Sequence, residues 1–186
     1  MKDRIVIVED YTIREALLED ASVIWQAVDS HRDYLVLWLP FVDRLTCEED
    51  EEAFLAEVLS VPYEERNLVY VIEKGEEFCG LVGFVATDAD NRRTEIGYWL
   101  LPEYQGRGVM TRCVRYLCRW SVEARSINRV QIRCAVGNHS SNAIPQRLGF
   151  QLEGTEREGE LLASGKYADI NVYSLLKEEI LKQFVE

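Results

Sequence analysis

The sequence predicts a mixed αβ fold of the α+β class, a mostly antiparallel sheet organised about one βαβ unit, and three observations carry that prediction. The apolar strand Thr94–Leu101 hands over through Pro102 to Gln105-Gly106-Arg107-Gly108, where the apolar spacing turns from strand-like to helical. The helix that follows carries Met110, Cys113, Val114, Leu117, Cys118 and Ser121/Val122 on one stripe, while Arg112, Arg115, Arg119 and Arg125 fall mostly elsewhere. Beyond it Arg129–Val136 reads as another strand, and the intervening helix allows it to lie parallel to Thr94–Leu101. The strands before this unit read as an antiparallel sheet.

The elements follow in order. Arg4–Val8 and Tyr11–Glu15 read as two short strands with Glu9-Asp10 as their turn. From Asp20 the residues Ala21, Ile24, Trp25 and Val28 keep a helical stripe. Leu35, Leu37, Trp38, Leu39 and Phe41 form a dense apolar patch broken by Pro40, which fits a cleft wall as well as plain core or a subunit contact. Thr46-Cys47-Glu48-Glu49 has capping-box spacing and predicts a helix start, with Ala53, Phe54, Val58 and Leu59 as its apolar face. The run Glu48–Glu52 reads either as a solvated first turn that complements the helix dipole or as an acidic lip that attracts amines.

Leu68–Glu73 and Phe78–Thr87 predict a hairpin about Lys74-Gly75, and Asp88–Arg93 is a polar turn. Past Arg129–Val136, a short helix opens near Asn138 and runs to Leu148, with Gly149 as its stop before a strand that begins at Phe150. Gly159 and Gly165 bracket a turn, Ile170–Leu175 is the last strand, and Lys177–Phe184 is a short helix or tail. No linker, repeat or low-complexity run divides the 186 residues, so one domain over 1–186 is expected.

Composition excludes several functions. A net charge of −12, from 21 Lys and Arg against 33 Asp and Glu, argues against nucleic acid or an anionic membrane as main partner and suits cationic acceptors. No apolar run approaches the roughly 20 residues of a membrane span, and the charged start lacks a signal-peptide core, so a cytoplasmic location is expected. The five cysteines form no CxxC pair, and His31 and His139 lack ligand-like spacing. No metal is expected.

The chemistry concentrates at the glycine turn. Glycines at a helix start let the backbone approach a bulky anion, and the free N–H groups from Gly106 through Thr111, with the positive end of the helix dipole, form a phosphate cradle. A dinucleotide fingerprint is disfavoured, because its third glycine would fall on Thr111 and the turn follows a late strand. The G-x-x-x-x-G-K-[ST] loop is absent.

Glu95-Ile-Gly-Tyr-Trp, Pro102, Gln105-Gly106-Arg107-Gly108 and Asn138-x-x-Ser141…Leu148-Gly149-Phe150 together resemble the GNAT N-acetyltransferase superfamily, in particular its RimJ/RimL-like branch of ribosomal-protein N-terminal acetyltransferases. The two-strand opening and the closing Gly165-Lys-Tyr-x-Asp169…Tyr173-Ser174 extend the resemblance over nearly the whole chain. It implies a twisted sheet with helices on both faces and one parallel strand pair splayed around acetyl-CoA. The donor's pyrophosphate would rest on the amides of Gly106, Arg107, Gly108, Val109, Met110 and Thr111. The superfamily pattern [QR]-x-x-G-x-[GA] is met at Gln105 and Gly108 and departs at Met110, where an amide serves with any side chain. Tyr98, Trp99, Leu100 and Leu101 would pair with the pantetheine arm, and Asn138 would bond it from the opposite side. Asn138 also reads as a helix N-cap, and the two roles are compatible.

Amine acetylation needs a neutral amine, a thioester held close and a stabilised thiolate. The resemblance makes Glu95 the general base, often through water; otherwise it is a strand-edge charge. The tyrosine acid that many members place four residues before the Gly-Phe pair is Pro145 here. Ser141 then matches the branch serine and would polarise the thiolate or relay a proton, with Tyr167 or Tyr173 as reserve acid. Arg107 and Arg112 are candidates for the 3′-phosphate of coenzyme A, and His139 reads as an exposed neighbour. Three functions stay open: an acetyltransferase acting on a protein N-terminus, the same chemistry on a polyamine or antibiotic, and a non-catalytic coenzyme A-binding protein. Trp38, Phe41 and Trp120 read as exposed aromatics and make a homo-oligomer possible.

Overall fold

Short turns between apolar runs make the first half of the chain a meander that a helical segment interrupts once. In the computed structural model, which describes residues 4–184, β1 (Ile5–Val8) and β2 (Tyr11–Glu15) form a hairpin. β3 (Val69–Lys74), β4 (Glu77–Asp88) and β5 (Arg93–Leu100) continue it antiparallel. Helix α5 (Val109–Arg125), taken out of order here, crosses the sheet and returns the chain as β6 (Arg129–Ala135), parallel to β5. The last strands are β7 (Gln151–Leu161) and β8 (Tyr167–Leu176), and β8 inserts beside β6 to give the order β1-β2-β3-β4-β5-β6-β8-β7.

Between β2 and β3 lie α1 (Ala21–Ser30), α2 (Arg32–Leu35), α3 (Phe41–Arg44) and α4 (Glu48–Ser60). Their buried residues Ile24, Val28, Leu35, Val42 and Leu55 join Val71, Trp99 and Leu101 from the sheet in one core cluster. α5 and α7 (Lys177–Gln183) contribute Val114, Leu117 and Ile180 to a second cluster with Ile72, Val82, Ile96, Val130 and Leu175. Adjacent residues Val71 and Ile72 enter different clusters, because successive side chains of a strand point to opposite faces and both faces are covered by helices.

Three details differ from the sequence reading. The cap of α4 moves one residue on: Cys47 is the N-cap, and the Asp50 carboxylate accepts from the amides of Thr46 at 2.8 Å and Cys47 at 3.1 Å. The inward face of α4 is Glu51 and Leu55, while Ala53 and Phe54 are exposed, because the helix packs beside α1. β7 and β8 run longer than expected, so Gly159 lies inside β7 next to a register shift and the turn is centred nearer Gly165.

The pairing that positions the site is incomplete. β5 and β6 register only at Arg93↔Arg129, Thr94↔Val130 and Glu95↔Gln131. Past Glu95, β5 keeps β4 as a neighbour through Leu100, and β6 keeps β8 through Ala135, so the two strands part like a fork.

The β5 arm of the fork depends on close approach of β4. Gly80 faces Leu100, and a Cβ there would lie 2.3 Å from the carbonyl oxygen of Trp99. Gly80→Ala should therefore push β5 away and cost roughly 1–3 kcal/mol, as overpacking does. Urea denaturation checks this, with an unchanged midpoint as the contrary result.

Candidate active site

A cleft of about 1230 Å³ opens at the fork, and it is lined by residues of β4, β5, β6, the turn before α5, and α6 (His139–Arg147). The apolar segment between α1 and α4 supplies Leu35, Trp38, Leu39, Pro40 and Phe41 to its wall. Trp38 reaches across to β6: a Cβ on Gly137 would meet its ring at 3.0 Å. Trp38 and Phe41 are half-buried cleft residues, and Trp120 is half-buried beside Phe84 with Arg125 stacked on it, so none of the three is the exposed aromatic that the sequence suggested.

The turn before α5 is shaped for an anion. Gly106 and Gly108 take φ of 73° and 75°, values that suit glycine, and a Cβ at either position would meet nothing within 4 Å. The space over the turn is open to a ligand. Arg112 N–H bonds the Gly108 carbonyl at 3.2 Å, so the amides before it are the orphan donors of a helix start. The side chains of Val109 and Met110 are buried in the core while both residues line the cleft, which leaves their main chain to face it. That accounts for Met110 where the family pattern has a small residue. Gln105 fixes the turn: its Nε2 donates to Tyr34 Oη at 2.6 Å and to the Leu100 carbonyl at 2.9 Å. Arg107, Arg112 and Arg147 line the same end, and Arg147 Nη1 reaches Thr111 Oγ1 at 3.4 Å. The turn thus fits a pyrophosphate through two open glycines, a helix N-terminus and three arginines at the same end of the cleft.

Across the fork, α6 presents Ser141. Asn138 caps the helix through Oδ1, which accepts from Ser141 N at 3.2 Å and Ser140 Oγ at 3.0 Å, leaving its Nδ2 donor for a ligand. Pro145 lies inside α6 and has no N–H to give to the carbonyl four residues back, which is that of Ser141. Tyr98 from β5 supplies the missing donor: its hydroxyl bonds the Ser141 carbonyl at 3.1 Å. This places the tyrosine 3.3 Å from Ser141 Oγ, and Cys134 Sγ lies 3.1 Å from the same hydroxyl. Burial pushes both the Tyr98 phenol and the Cys134 thiol up, so both are protonated donors at neutral pH.

Glu95 stands at the vertex of the fork, where the last paired residue meets the cleft. Gln131 Nε2 donates to its Oε2 at 3.1 Å. Burial raises its pKa, and the repulsion of Glu160 and Glu156 adds to that, against the opposing pull of the Gln131 bond and of Arg133.

The expected residues Glu95, Tyr98, Trp99, Leu100, Gln105 through Thr111, Asn138 and Ser141 all border one cleft. Leu101 does not: its side chain is buried under the α1–α4 layer and its amide is spent on the Cys79 carbonyl at 2.8 Å. Of the reserve acids, Tyr167 is exposed at the far end of β8, and Tyr173 is buried with its hydroxyl donating to Asn142 Oδ1 at 3.0 Å, away from the cleft lining. His139 is exposed and also lies outside the lining. Glu51, from the run read as a possible acidic lip, lines the cleft too; Arg133, Cys134, Arg147 and Glu160 also line it and went unnoticed as site residues, since each sits in an ordinary strand or helix context. Among the described residues no group of three or more His, Cys, Asp or Glu is placed to hold a metal ion. No helix among them is long and apolar enough to cross a membrane.

Residues 11–151 match the family model of the acetyltransferase (GNAT) domain. The chain belongs to the GNAT acetyltransferase family. It is 34% identical over 92% of its length to the putative ribosomal N-acetyltransferase YdaF of Bacillus subtilis, covering 93% of that protein. To the ribosomal-protein-serine acetyltransferase of Escherichia coli it is 25% identical over 94% of its length and 97% of the relative. Its fold superposes with a TM-score of 0.88 at 27% identity on RimL, the ribosomal L7/L12 alpha-N-protein acetyltransferase, in complex with coenzyme A, over 94% of this chain and 98% of that one. This GNAT chain is accordingly an acetyl-CoA-dependent N-acetyltransferase, similar to ribosomal-protein acetyltransferases.

The cradle makes a direct demand on Gly108. Gly108→Val sets a branched side chain in the left-handed region, at a cost of about 1 kcal/mol or somewhat more, and fills the space above the amides. Calorimetric titration should show acetyl-CoA affinity falling at least about tenfold, a loss near 1.4 kcal/mol, in a protein that still unfolds cooperatively. Undiminished affinity would remove the turn from the donor site.

Proposed function

We propose that residues 1–186 work as one cytoplasmic GNAT domain that acetylates the α-amine of a protein N-terminus, with a ribosomal protein as the acceptor class. The observation that carries this reading is the fork, which brings a desolvated carboxylate, Glu95, and a hydroxyl cluster, Ser141 with Tyr98, to one cleft. Acetyl-CoA supplies the thioester: the amine nitrogen bonds its carbonyl carbon, and the C–S bond breaks. Glu95 takes the proton that the amine must lose, directly or through a water. Ser141 Oγ turns its proton from Tyr98 Oη to polarise the departing sulfur, while Tyr98 keeps its own on the Ser141 carbonyl, and the thiolate then takes a proton from solvent. In the RimL complex coenzyme A is held as a disulfide to a cysteine, which supports a sulfur position near a cleft cysteine such as Cys134.

The donor arm lies along the open edge of Tyr98, Trp99 and Leu100, with Asn138 opposite and the pyrophosphate on Gly106 through Thr111. An α-amine is the acceptor this machinery suits. Its reference pKa near 7.7–8.0 leaves much of it neutral in a cell, whereas lysine at about 10.4 needs a stronger base than one carboxylate.

Glu95→Gln should lower kcat at neutral pH by on the order of 10²-fold while acetyl-CoA affinity stays near the original. Because burial raises the pKa of Glu95, the wild-type acid limb should fall at a higher pH than an ordinary carboxylate would give, and the variant should lack that limb. Glu160→Gln run beside it tests the cleft carboxylate that acts on Glu95: loss of the limb in that variant alone would transfer the base role to Glu160.

The acceptor is tested with a peptide that carries one free N-terminus and one internal lysine. Mass spectrometry should find acetyl mainly on the terminus. Acetyl on lysine instead, or only on added spermidine, would favour a small-amine enzyme, and release of no free thiol with any amine would favour a coenzyme A-binding protein.

A further inference from the structure

The cleft holds a second carboxylate that the proton chemistry does not use. Glu51 projects from the first turn of α4 into the cleft wall and is only 4% exposed. Its Oε1 is fully buried, with no hydrogen-bond partner among the described residues. The same cleft is lined by apolar Ile24, Phe41, Leu45 and Phe54, with Arg44 at the end of α3. Burial lifts its pKa to about 7.

The other acids of the same run are accounted for. Asp50 caps α4, Glu48 accepts from Ser22 Oγ at 3.0 Å, and Glu49 and Glu52 are exposed. A buried carboxylate without a partner costs stability, and the fold has no structural use for it: an apolar residue between Leu45 and Leu55 would complete the core better. An aliphatic wall with one carboxylate at its base matches the shape of a lysine or arginine side chain, whose methylene stem covers apolar surface while its head needs an anion. The cleft is shared with Glu95, so an acceptor whose amine lies at the vertex can extend along it to α4.

We propose that Glu51 seats a second cationic group of the acceptor, a lysine or arginine side chain within the first few residues of the peptide whose α-amine is acetylated. The assignment builds on the α-amine reading above, and it makes Glu51 a residue of acceptor choice with no part in proton transfer.

The test uses peptides of one length in which a single lysine is moved through positions two to five, each beside a norleucine counterpart of nearly the same shape. Wild-type enzyme should prefer at least one lysine peptide over its counterpart by about tenfold or more in kcat/KM, carried by KM. In Glu51→Gln that preference should fall to near unity, and acetyl-CoA affinity of the same preparation reports that the donor site is intact. A wild type without preference, or a Glu51→Gln variant that keeps it, overturns the proposal while leaving α-amine acetylation in place. If no peptide is acetylated, the α-amine reading fails and the same comparison is made between 1,5-diaminopentane and pentylamine: a preference that Glu51→Gln removes retains the cation seat, and equal rates discard it. Thermal melts give an independent readout. A carboxyl whose folded pKa is raised from its usual value to about 7 loses stability as pH rises through that interval, so Glu51→Gln should melt higher than wild type, by a margin that widens from pH 5 to pH 8. A variant that melts lower at every pH would mean that Glu51 has a structural partner and is not held for a ligand.

Discussion

Everything at the site depends on where β5 and β6 stop pairing. Three registered residues hold the strands together, and Glu95 is the last of them on β5. Beyond it each strand keeps its outer neighbour, so the arms are rigid although their facing edges are free. An unpaired strand edge inside a protein leaves costly backbone donors and acceptors, and a ligand that runs between the arms satisfies them. A carboxylate at the vertex is then held at a fixed distance from whatever lies in the fork. The catalytic geometry comes from the sheet itself and not from a flexible loop.

The second constraint is a proline. In a helix interior proline ordinarily disrupts a hydrogen bond, and α6 is only nine residues long. Here the freed Ser141 carbonyl draws the Tyr98 hydroxyl across the fork, and the two arms are stitched by a side chain where the backbones cannot meet. The bond also places the phenol beside Ser141 Oγ. The position that lacks the family's tyrosine therefore brings another tyrosine to Ser141. Asn142 secures α6 from behind, with its Nδ2 on the Ala135 and Asn138 carbonyls at 2.8 Å and its Oδ1 accepting from Asn171 and Tyr173. That buried amide is fully satisfied, so the helix that carries Ser141 is anchored to both β6 and β8.

The order of strands and helices was legible because each element carries a local signal: period two in the strands, period 3.6 in α5, glycine at the turn before it. The glycine turn was legible as an anion cradle as well, since an anion would use its backbone, which the two glycines leave open. Side-chain sites were less legible. Glu160, Arg133 and Arg147 acquire their place only when β7, β6 and α6 are brought together, and nothing within ten residues of any of them marks it. The rotation of α4 was misread for a related reason. Period 3.6 puts Leu55 and Glu51 on one face as readily as Phe54 and Val58 on another, and a buried glutamate is the choice that hydrophobic pattern alone rejects.

The charge of the chain takes on a different meaning once the cleft is mapped. A protein of net charge −12 should repel a donor with a pyrophosphate, yet three arginines, Arg107, Arg112 and Arg147, gather where the α5 amides already offer positive potential. The carboxylates of the cleft, Asp50, Glu51, Glu95 and Glu160, come from α4, β5 and β7, none of which supplies the anion-binding turn. At a Debye length of about 8 Å in physiological salt, surface charge acts over a range shorter than a cleft of this size, so the local groupings outweigh the net charge for a ligand inside it. The arginines around the α5 turn and the acids of α4, β5 and β7 thus form separate groups, with Arg133 tempering the second beside Glu95. The surplus of acid elsewhere raises the concentration of cationic acceptors near the mouth without barring the donor from its cradle.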